Sequence, residues 1–421
     1  MNFLVWFILV CTILATGYGY VGWRLAAPLP PPWNAVAWGV LVLFFLLPIG
    51  EMYLTLNRSD VPLRGVLDWS AYIILGFFSM TLSILLVRDL SWVMVAVIQK
   101  TWALFGSSRE GSPLSLLDKG RREMLSQTMN VGMVAAAAVL TGYGVFEARR
   151  RPSVVEVSVP LPNLPAGLDG FRIVQITDVH AGLTVSRPFV ETIVQMANDL
   201  KGDIIAFTGD LVDGSVERLR EHVAPMADLS APYGRYFITG NHEYYSGAVP
   251  WVEEAKRLGF DVLLNEHRII RRGGRTLLLA GVTDTSAGQF VPAHASDPVK
   301  AIAGAAPADV RVLLAHQPRS LYAAEKAGYD VQISGHTHGG QFFPWNYLAA
   351  VGQPYIRGLH KHGSMWIYVS KGTGYWGPPV RLGARSEITV ITLRSSGAGN
   401  GGDGTSDILR NQHDLTGKAA L

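Results

Sequence analysis

The chain has 421 residues, a net charge of +3 and a single cysteine, Cys11. That length admits more than one folding unit, and so small a charge argues against nucleic acid as a partner. One cysteine excludes disulfides and thiolate metal sites, so any metal here is held by nitrogen and oxygen. All eleven histidines lie beyond residue 150, where an apolar, charge-poor region gives way to an ordinary mixed composition.

A bilayer-crossing helix needs about 20 predominantly apolar residues. Phe3–Val21, Ala35–Leu54, Trp69–Val87 and Met129–Phe146 meet or approach that length. They predict a helical membrane anchor over residues 1–150, a multi-pass cell-membrane protein and the lipid bilayer as a partner. The short apolar segment Leu90–Ile98 follows Arg88-Asp89 and reads as an interfacial helix or an extension of the third span. Between the third and fourth spans lie Arg88, Lys100, Arg109, Lys119, Arg121 and Arg122. By the positive-inside rule this loop is cytoplasmic and everything after the fourth span is extracytoplasmic. Arg149-Arg150-Arg151 pulls the other way. Gly120–Leu125, with Arg121-Arg122 ahead of a Gly/Ala-rich apolar stretch, resembles a twin-arginine export signal. It departs from that pattern in lying inside the chain and in carrying Met124 where phenylalanine is usual. The expectation is an extracytoplasmic C-terminal region.

From Val154 short apolar runs alternate with amphipathic stretches. The strands expected are Val154–Val159, Phe171–Thr177, Ile204–Thr208, Arg235–Thr239, Thr276–Val282, Arg311–Ala315, Val331–Ser334, Met365–Ser370 and Ile388–Leu393. Helices are expected over Arg187–Leu200, Val216–Leu229, Val249–Leu258 and Arg319–Ala327. Such alternation predicts a layered α/β sandwich over 152–394. The Ser/Gly-rich residues 395–421 read as a flexible tail.

Five polar blocks close five of these runs: Asp178-Val179-His180, Gly209-Asp210-Leu211-Val212-Asp213, Gly240-Asn241-His242-Glu243, Ala315-His316 and Gly335-His336-Thr337-His338. Open α/β sheets bind ligands where strands run out into turns. A lone histidine in such a place is more often structural than a ligand; five blocks in series favour a metal site. Two neighbouring cations repel, so they need a bridging carboxylate and hard or borderline ligands around each. The blocks contain every residue type required.

The series resembles the calcineurin-like metallophosphoesterase superfamily, whose signature is D-x-H, G-D-x-x-D, G-N-H-[DE], H and G-H-x-H. The Gly335–Gln341 sequence G-H-T-H-G-G-Q, with Ser370–Gly374 and Pro379-Val380-Arg381, is similar to the bacterial membrane-attached branch. The resemblance implies an α/β/β/α sandwich and two divalent ions, manganese, iron or zinc. It assigns Asp178, His180 and His338 to the first metal, Asn241, His316 and His336 to the second, and Asp210 to the bridge between them. His242 would face the substrate phosphate as a catalytic group rather than a ligand. Asp213 would orient a liganding side chain. A hydroxide bridging the metals is the nucleophile so implied.

Other residues are open to two readings. His360 and His362 are candidates for substrate phosphate contacts or members of a solvated loop, and Arg381 either supports the site or caps the last strand. Trp345, Tyr347, Tyr375 and Trp376 line an apolar groove, sit at a membrane interface or pack the fold. His222, His267, His294 and His413 match no block.

The reading is a membrane-anchored phosphoesterase acting on phosphodiester, pyrophosphate or monoester bonds of a lipid-linked or envelope substrate. No nucleic acid and no obligate protein partner are expected. One alternative is an enzyme like the UDP-2,3-diacylglucosamine pyrophosphohydrolases of lipid A synthesis. A nuclease of the same superfamily is disfavoured by the small net charge. A non-catalytic membrane sensor is disfavoured by the undegraded blocks and by spans read as free of charge.

Overall fold

A computed structural model describes residues 3–56, 61–104 and 119–396. They form two compact units, Met1–Phe146 with Gly377–Val380, and Glu147–Trp376 with Arg381–Leu421.

The first unit is built on four helices: α1 (Phe3–Leu25), α2 (Trp33–Leu56), α3 (Arg64–Leu104) and α4 (Lys119–Arg149). Each contains a stretch long and apolar enough to cross a membrane. Large apolar side chains such as Ile8, Leu43 and Val131 point outward and are more than half exposed, as lipid-facing surface requires and water-facing surface disfavours. Inside, Tyr18 of α1 stacks on Phe78 of α3 at 3.8 Å. The segment Leu90–Ile98 is a continuation of α3, which runs unbroken for 41 residues. At 1.5 Å per residue that is about 60 Å, twice the hydrocarbon thickness of a bilayer. The helices also carry charge, contrary to the expectation. Glu51 and Asp68 are buried, and both pair with Arg64, at 3.2 and 2.7 Å.

The second unit contains β1 (Ser153–Pro162), β2 (Arg172–Ile176), α5 (Arg187–Asp199), β3 (Ile204–Phe207), α6 (Val216–Val223), β4 (Arg235–Phe237), α7 (Asn241–Ser246), α8 (Ala248–Arg257), β5 (Asp261–Val262), β6 (Glu266–Arg272), β7 (Arg275–Gly281), α9 (Pro298–Ala301), β8 (Val310–Leu314), α10 (Leu321–Ala327), β9 (Val331–Ser334), α11 (Trp345–Gly352), β10 (Gly358–His362), β11 (Met365–Val369) and β12 (Glu387–Ser396). The last strand takes in Ser395 and Ser396, the first two residues expected in the tail; the rest of that tail lies outside the described residues.

Two six-stranded sheets result, ordered β1-β12-β2-β3-β4-β5 and β10-β11-β9-β8-β7-β6. Alternating side chains of each strand serve two cores. Ile173, Ile204, Ala206 and Tyr236 of the first sheet meet Leu277, Leu279, Val312 and Leu314 of the second. Val174, Ile205, Phe207 and Phe237 face α5 and α8. Leu278, Ala280 and Leu313 face α9 and α10 on the far side. Burial on both faces explains why these strands read as continuous apolar runs. The architecture is therefore the expected α/β/β/α sandwich. β2, β3 and β4 are parallel in one sheet, and β7, β8 and β9 in the other, so their carboxyl ends point the same way within each sheet.

Candidate metal centre

The five blocks leave the carboxyl ends of β2, β3, β4, β8 and β9. Asp178, His180, Asp210, His336 and His338 all have left-handed φ, between +51° and +73°. Side chains cost about 1–3 kcal/mol each in such conformations and persist there only when the surroundings enforce them. The enforcement is visible. The backbone N–H of Asp178 donates to Gly209 O at 3.0 Å, and those of Val179 and His180 donate to Asp210 O. Glu243, fully buried, accepts from the N–H groups of Asp210 (2.9 Å), Leu211 (2.7 Å) and Gly240 (2.7 Å), welding the β3 turn to the β4 turn. The Asp178 carboxylate accepts from His336 N at 2.9 and 3.0 Å, which joins the two sheets.

Two glycines make this approach possible. A Cβ at Gly240 would collide with the Asp210 carboxylate, and one at Gly335 with the Asp178 carboxylate and Thr177 Oγ1. Both are required by crowding rather than by a left-handed turn.

The side chains converge as two overlapping clusters. In the first, His180 Nε2 lies 3.0 Å from His338 Nε2, and His338 Nε2 lies 3.5 Å from Asp178 Oδ1. In the second, His316 Nε2 lies 3.1 Å from Asp210 Oδ2 and 3.3 Å from His336 Nδ1. Asp210 Oδ2 is also 3.7 Å from His180 Nε2, so this one carboxylate reaches both clusters. Ligand atoms of Asp178, His180 and His338, and of Asp210, His316 and His336, lie within 4.8 Å of one another. Asn241 opens α7, and its Oδ1 is buried with no hydrogen-bond partner among the described residues. A buried acceptor without a donor is costly unless something absent from the chain meets it.

The electrostatics match. Burial and the Asp210 charge push the Asp178 carboxyl up against the pull of His316 and His180. Burial drives His336 down to about 3 and His338 well below the usual range, with neighbouring cations adding to it, so both rings are neutral donors. Burial also opposes charge on His316, but Asp210 overrides it and raises the ring's value. His316 Nδ1 lies 2.8 Å from Thr208 O, to which its proton donates, so Nε2 faces Asp210. Oxygen and imidazole donors crowded around buried carboxylates, with an orphaned amide oxygen, fit a pair of divalent cations.

His242 differs from the other histidines. Its Nδ1 lies 2.5 Å from Asp213 Oδ1, and its backbone N–H donates to Asp210 Oδ1 at 2.9 Å. Burial would lower its value; Asp213 and Asp210 prevail and raise it to about 9. Its Nδ1 is taken by Asp213, which none of the other rings but His180 shares, and His180, Asp210 and His242 are also close enough to group around an ion. Asp213 itself holds two rings, His180 Nδ1 at 3.1 Å besides His242. Burial raises Asp213, but the two imidazoles more than offset it and hold its carboxyl low.

Three expected substrate contacts are not assembled here. β10 is antiparallel to β11, and His362 pairs with Met365, the first residue of β11. β11 runs parallel to β9, so His362 stands at the end of the sheet opposite the ligands. His360, opposite Ile367, lies mid-strand, stacks on Tyr355 at 4.2 Å and bonds Arg357 O. Arg381 is buried to 1% exposure, so substrate cannot reach it. It donates to the carbonyls of Gly374 (3.0 Å), Ala384 (2.6 Å) and Lys371 (2.8 Å), with Nη2 3.0 Å from His338 Nδ1. It braces the His338 loop from behind.

Of the four aromatics noted in the sequence, Tyr375 is core, its hydroxyl donating to Thr184 O. Trp376 stands 5.6 Å from the His242 ring and is half exposed. Trp345 and Tyr347 are exposed on α11. Sequence reading missed Tyr245, 5.1 Å from His242, and Phe290, 5.6 Å from Tyr245; no motif signals either. It also gave Glu243 no role, although the G-N-H-[DE] pattern contains it.

Fold and site together define a two-sheet hydrolase with a membrane-anchoring helical region. The profile of the calcineurin-like phosphoesterase family matches residues 171–340. A transmembrane protein with metallophosphoesterase domain from Danio rerio is 34% identical over 373 residues, 85% of this chain and 81% of its own. Its namesake from Bos taurus is 35% identical over 370 residues, again 85% and 81%. A Helicobacter pylori protein named as an uncharacterized metallophosphoesterase is 32% identical over 358 residues, covering 83% of this chain and 88% of its own. The chain belongs to the calcineurin-like phosphoesterase family.

Proposed function

We propose that the protein hydrolyses phosphodiester or pyrophosphate bonds of a lipid-linked or envelope substrate, using two divalent ions at the carboxyl ends of its strands. The observation that carries this reading is the convergence of Asp178, His180, Asp210, His316, His336 and His338 around shared positions, with Asn241 Oδ1 unpartnered beside them. Asp178, His180 and His338 would hold one ion, Asn241, His316 and His336 the other, and Asp210 would touch both. When bound, such a pair supplies an activated water and neutralises charge on the phosphoryl oxygens. Asp213 keeps His242 protonated and fixed through Nδ1, leaving Nε2 to donate to the phosphoryl group or the departing oxygen. Tyr245, Phe290 and Trp376 form an exposed aromatic rim beside His242, which supports a substrate with an apolar portion. Arg88, Lys100, Arg109, Lys119, Arg121 and Arg122, between the third and fourth apolar stretches of the sequence, support a multi-pass anchor with the hydrolase domain outside the cytoplasm. Manganese, iron and zinc all suit this donor set.

The test is hydrolysis of bis-p-nitrophenyl phosphate and of the matching monoester by the full-length protein, chelated and then reloaded with manganese. Turnover should depend on the metal and fall in Asp210→Asn to below about a thousandth. Undiminished turnover in that variant would overturn the two-ion reading.

A further inference from the structure

A second polar cluster lies in the helical unit. Arg24 sits one residue before the end of α1, Arg88 and Asp89 lie within α3, and Asn130 within α4. Arg24 Nη2 donates to Asp89 Oδ1 at 2.5 Å, and Arg88 Nε donates to the same oxygen at 2.7 Å. Tyr20 donates its hydroxyl to Asp89 Oδ2 at 2.6 Å, Arg88 Nη1 donates to Asn130 Oδ1 at 2.8 Å, and Asn130 Nδ2 donates to Arg24 O at 3.2 Å. The carboxylate is therefore fully engaged, yet two guanidiniums face it. One positive charge is left over.

The surplus appears as unmet hydrogen bonds. Arg24 Nε and Arg88 Nη2 are buried and have no partner among the described residues. Arg88 is only 10% exposed, whereas Arg24 keeps about a third of its side chain at the surface and opens a way in. A further charged group of this unit places Arg64 beside both Glu51 and Asp68.

The level of the cluster identifies what could meet it. α1 ends at Leu25 and α2 begins at Trp33, while Asn130 stands where α4 passes from Lys119, Arg121 and Glu123 into its apolar run. Trp23, exposed, lies 5.0 Å from the Arg24 guanidinium. Helix ends, a tryptophan and arginines at one level mark the headgroup zone of a bilayer. Guanidinium forks match phosphate oxygens, and ionisable groups at membrane helices are kept where they bind or move charge.

We propose that Arg24 and Arg88 form a receptor for one phosphate group, supplied by the headgroup of an anionic phospholipid. The site is separate from the hydrolase centre and shares no residue with it.

The experiment is native mass spectrometry of the delipidated full-length protein in detergent, titrated with phosphatidylglycerol or phosphatidylcholine. The expected result is one retained phosphatidylglycerol with at least tenfold preference over phosphatidylcholine, reduced about tenfold in Arg24→Gln and further in R24Q/R88Q. Millimolar inorganic phosphate distinguishes the sources: no displacement supports the lipid headgroup, and full displacement overturns the lipid in favour of a soluble phosphate at the same arginines. Absence of preference in the wild-type protein overturns the proposal without any variant. Equal retention by wild type and a correctly folded Arg24→Gln, checked by gel filtration and circular dichroism, overturns it as well.

Discussion

Asp178 shows how function is set against stability in a single side chain. Its carboxylate is fully buried and faces Asp210, and burial with that like charge outweighs the pull of His316 and His180 and raises its proton affinity. An acid whose folded value is raised above its unfolded one destabilises the fold at neutral pH, and the penalty disappears as pH falls below the unfolded value. In the metal-free protein Asp178→Asn is thus expected to melt at or above the wild type, while binding little manganese. A calorimetric scan of both metal-free proteins checks this; a lower melting temperature in the variant would contradict it. His242 makes the complementary case. Replacement by Ala should lower kcat by about 10²–10⁴-fold and leave metal content, read by elemental analysis, at two per chain. Loss of metal instead would mean that the ring is a ligand. Asp213→Asn, which loosens both His180 and His242, should cost about 10–100-fold in metal affinity or activity.

Turns decide how closely these groups approach. The Gly240 and Gly335 α-carbons lie against the Asp210 and Asp178 carboxylates, where no further atom fits. Gly335→Ala should therefore displace Asp178 and weaken manganese binding by at least about tenfold, with circular dichroism unchanged; unaltered affinity would show that the turn yields. Such constraints were partly legible. Glycine precedes Asp210, Asn241 and His336, but the sequence does not distinguish left-handed φ, found at Gly209, from crowding, found at Gly240 and Gly335. Central strands were legible because both faces are buried. The strands missed lie at or next to the sheet edges, where that pattern fails: β5 has two residues, β6 reads Glu-His-Arg-Ile-Ile-Arg-Arg and β10 reads Gly-Leu-His-Lys-His. The same blindness misplaced His360 and His362. They were open to a phosphate contact or a solvated loop, whereas they lie on β10, whose register with β11 carries them away from the ligands. Arg381 was seen as a support or a cap, and only its carbonyl partners distinguish the two.

For the hydrolase unit as a whole, the ligands come from both sheets. Asp178, His180, Asp210 and Asn241 follow strands of the first, and His316, His336 and His338 follow strands of the second. Ions bound there tie the layers together and stabilise only the folded state. At a free metal concentration 100 times Kd, one site contributes about 2.7 kcal/mol. Chelation should then lower the melting temperature of this unit by roughly 5–10 °C, with recovery on adding manganese. A transition indifferent to chelator would show that the ligands do not hold ions between the sheets.

The order of strands in the first sheet carries a further consequence. β12, the last strand among the described residues, lies between β1 and β2, the first two of its unit. The place it fills stands open while the ribosome is still adding residues 163–386, and neither neighbour can pair with the other across it. The first sheet therefore closes only after residues 387–396 have emerged, and a nascent chain halted before residue 387 holds Asp178, His180, Asp210 and Asn241 on a sheet still lacking an inner strand. The segment Glu387–Ser396 is in this way what makes β1 and β2 members of one sheet.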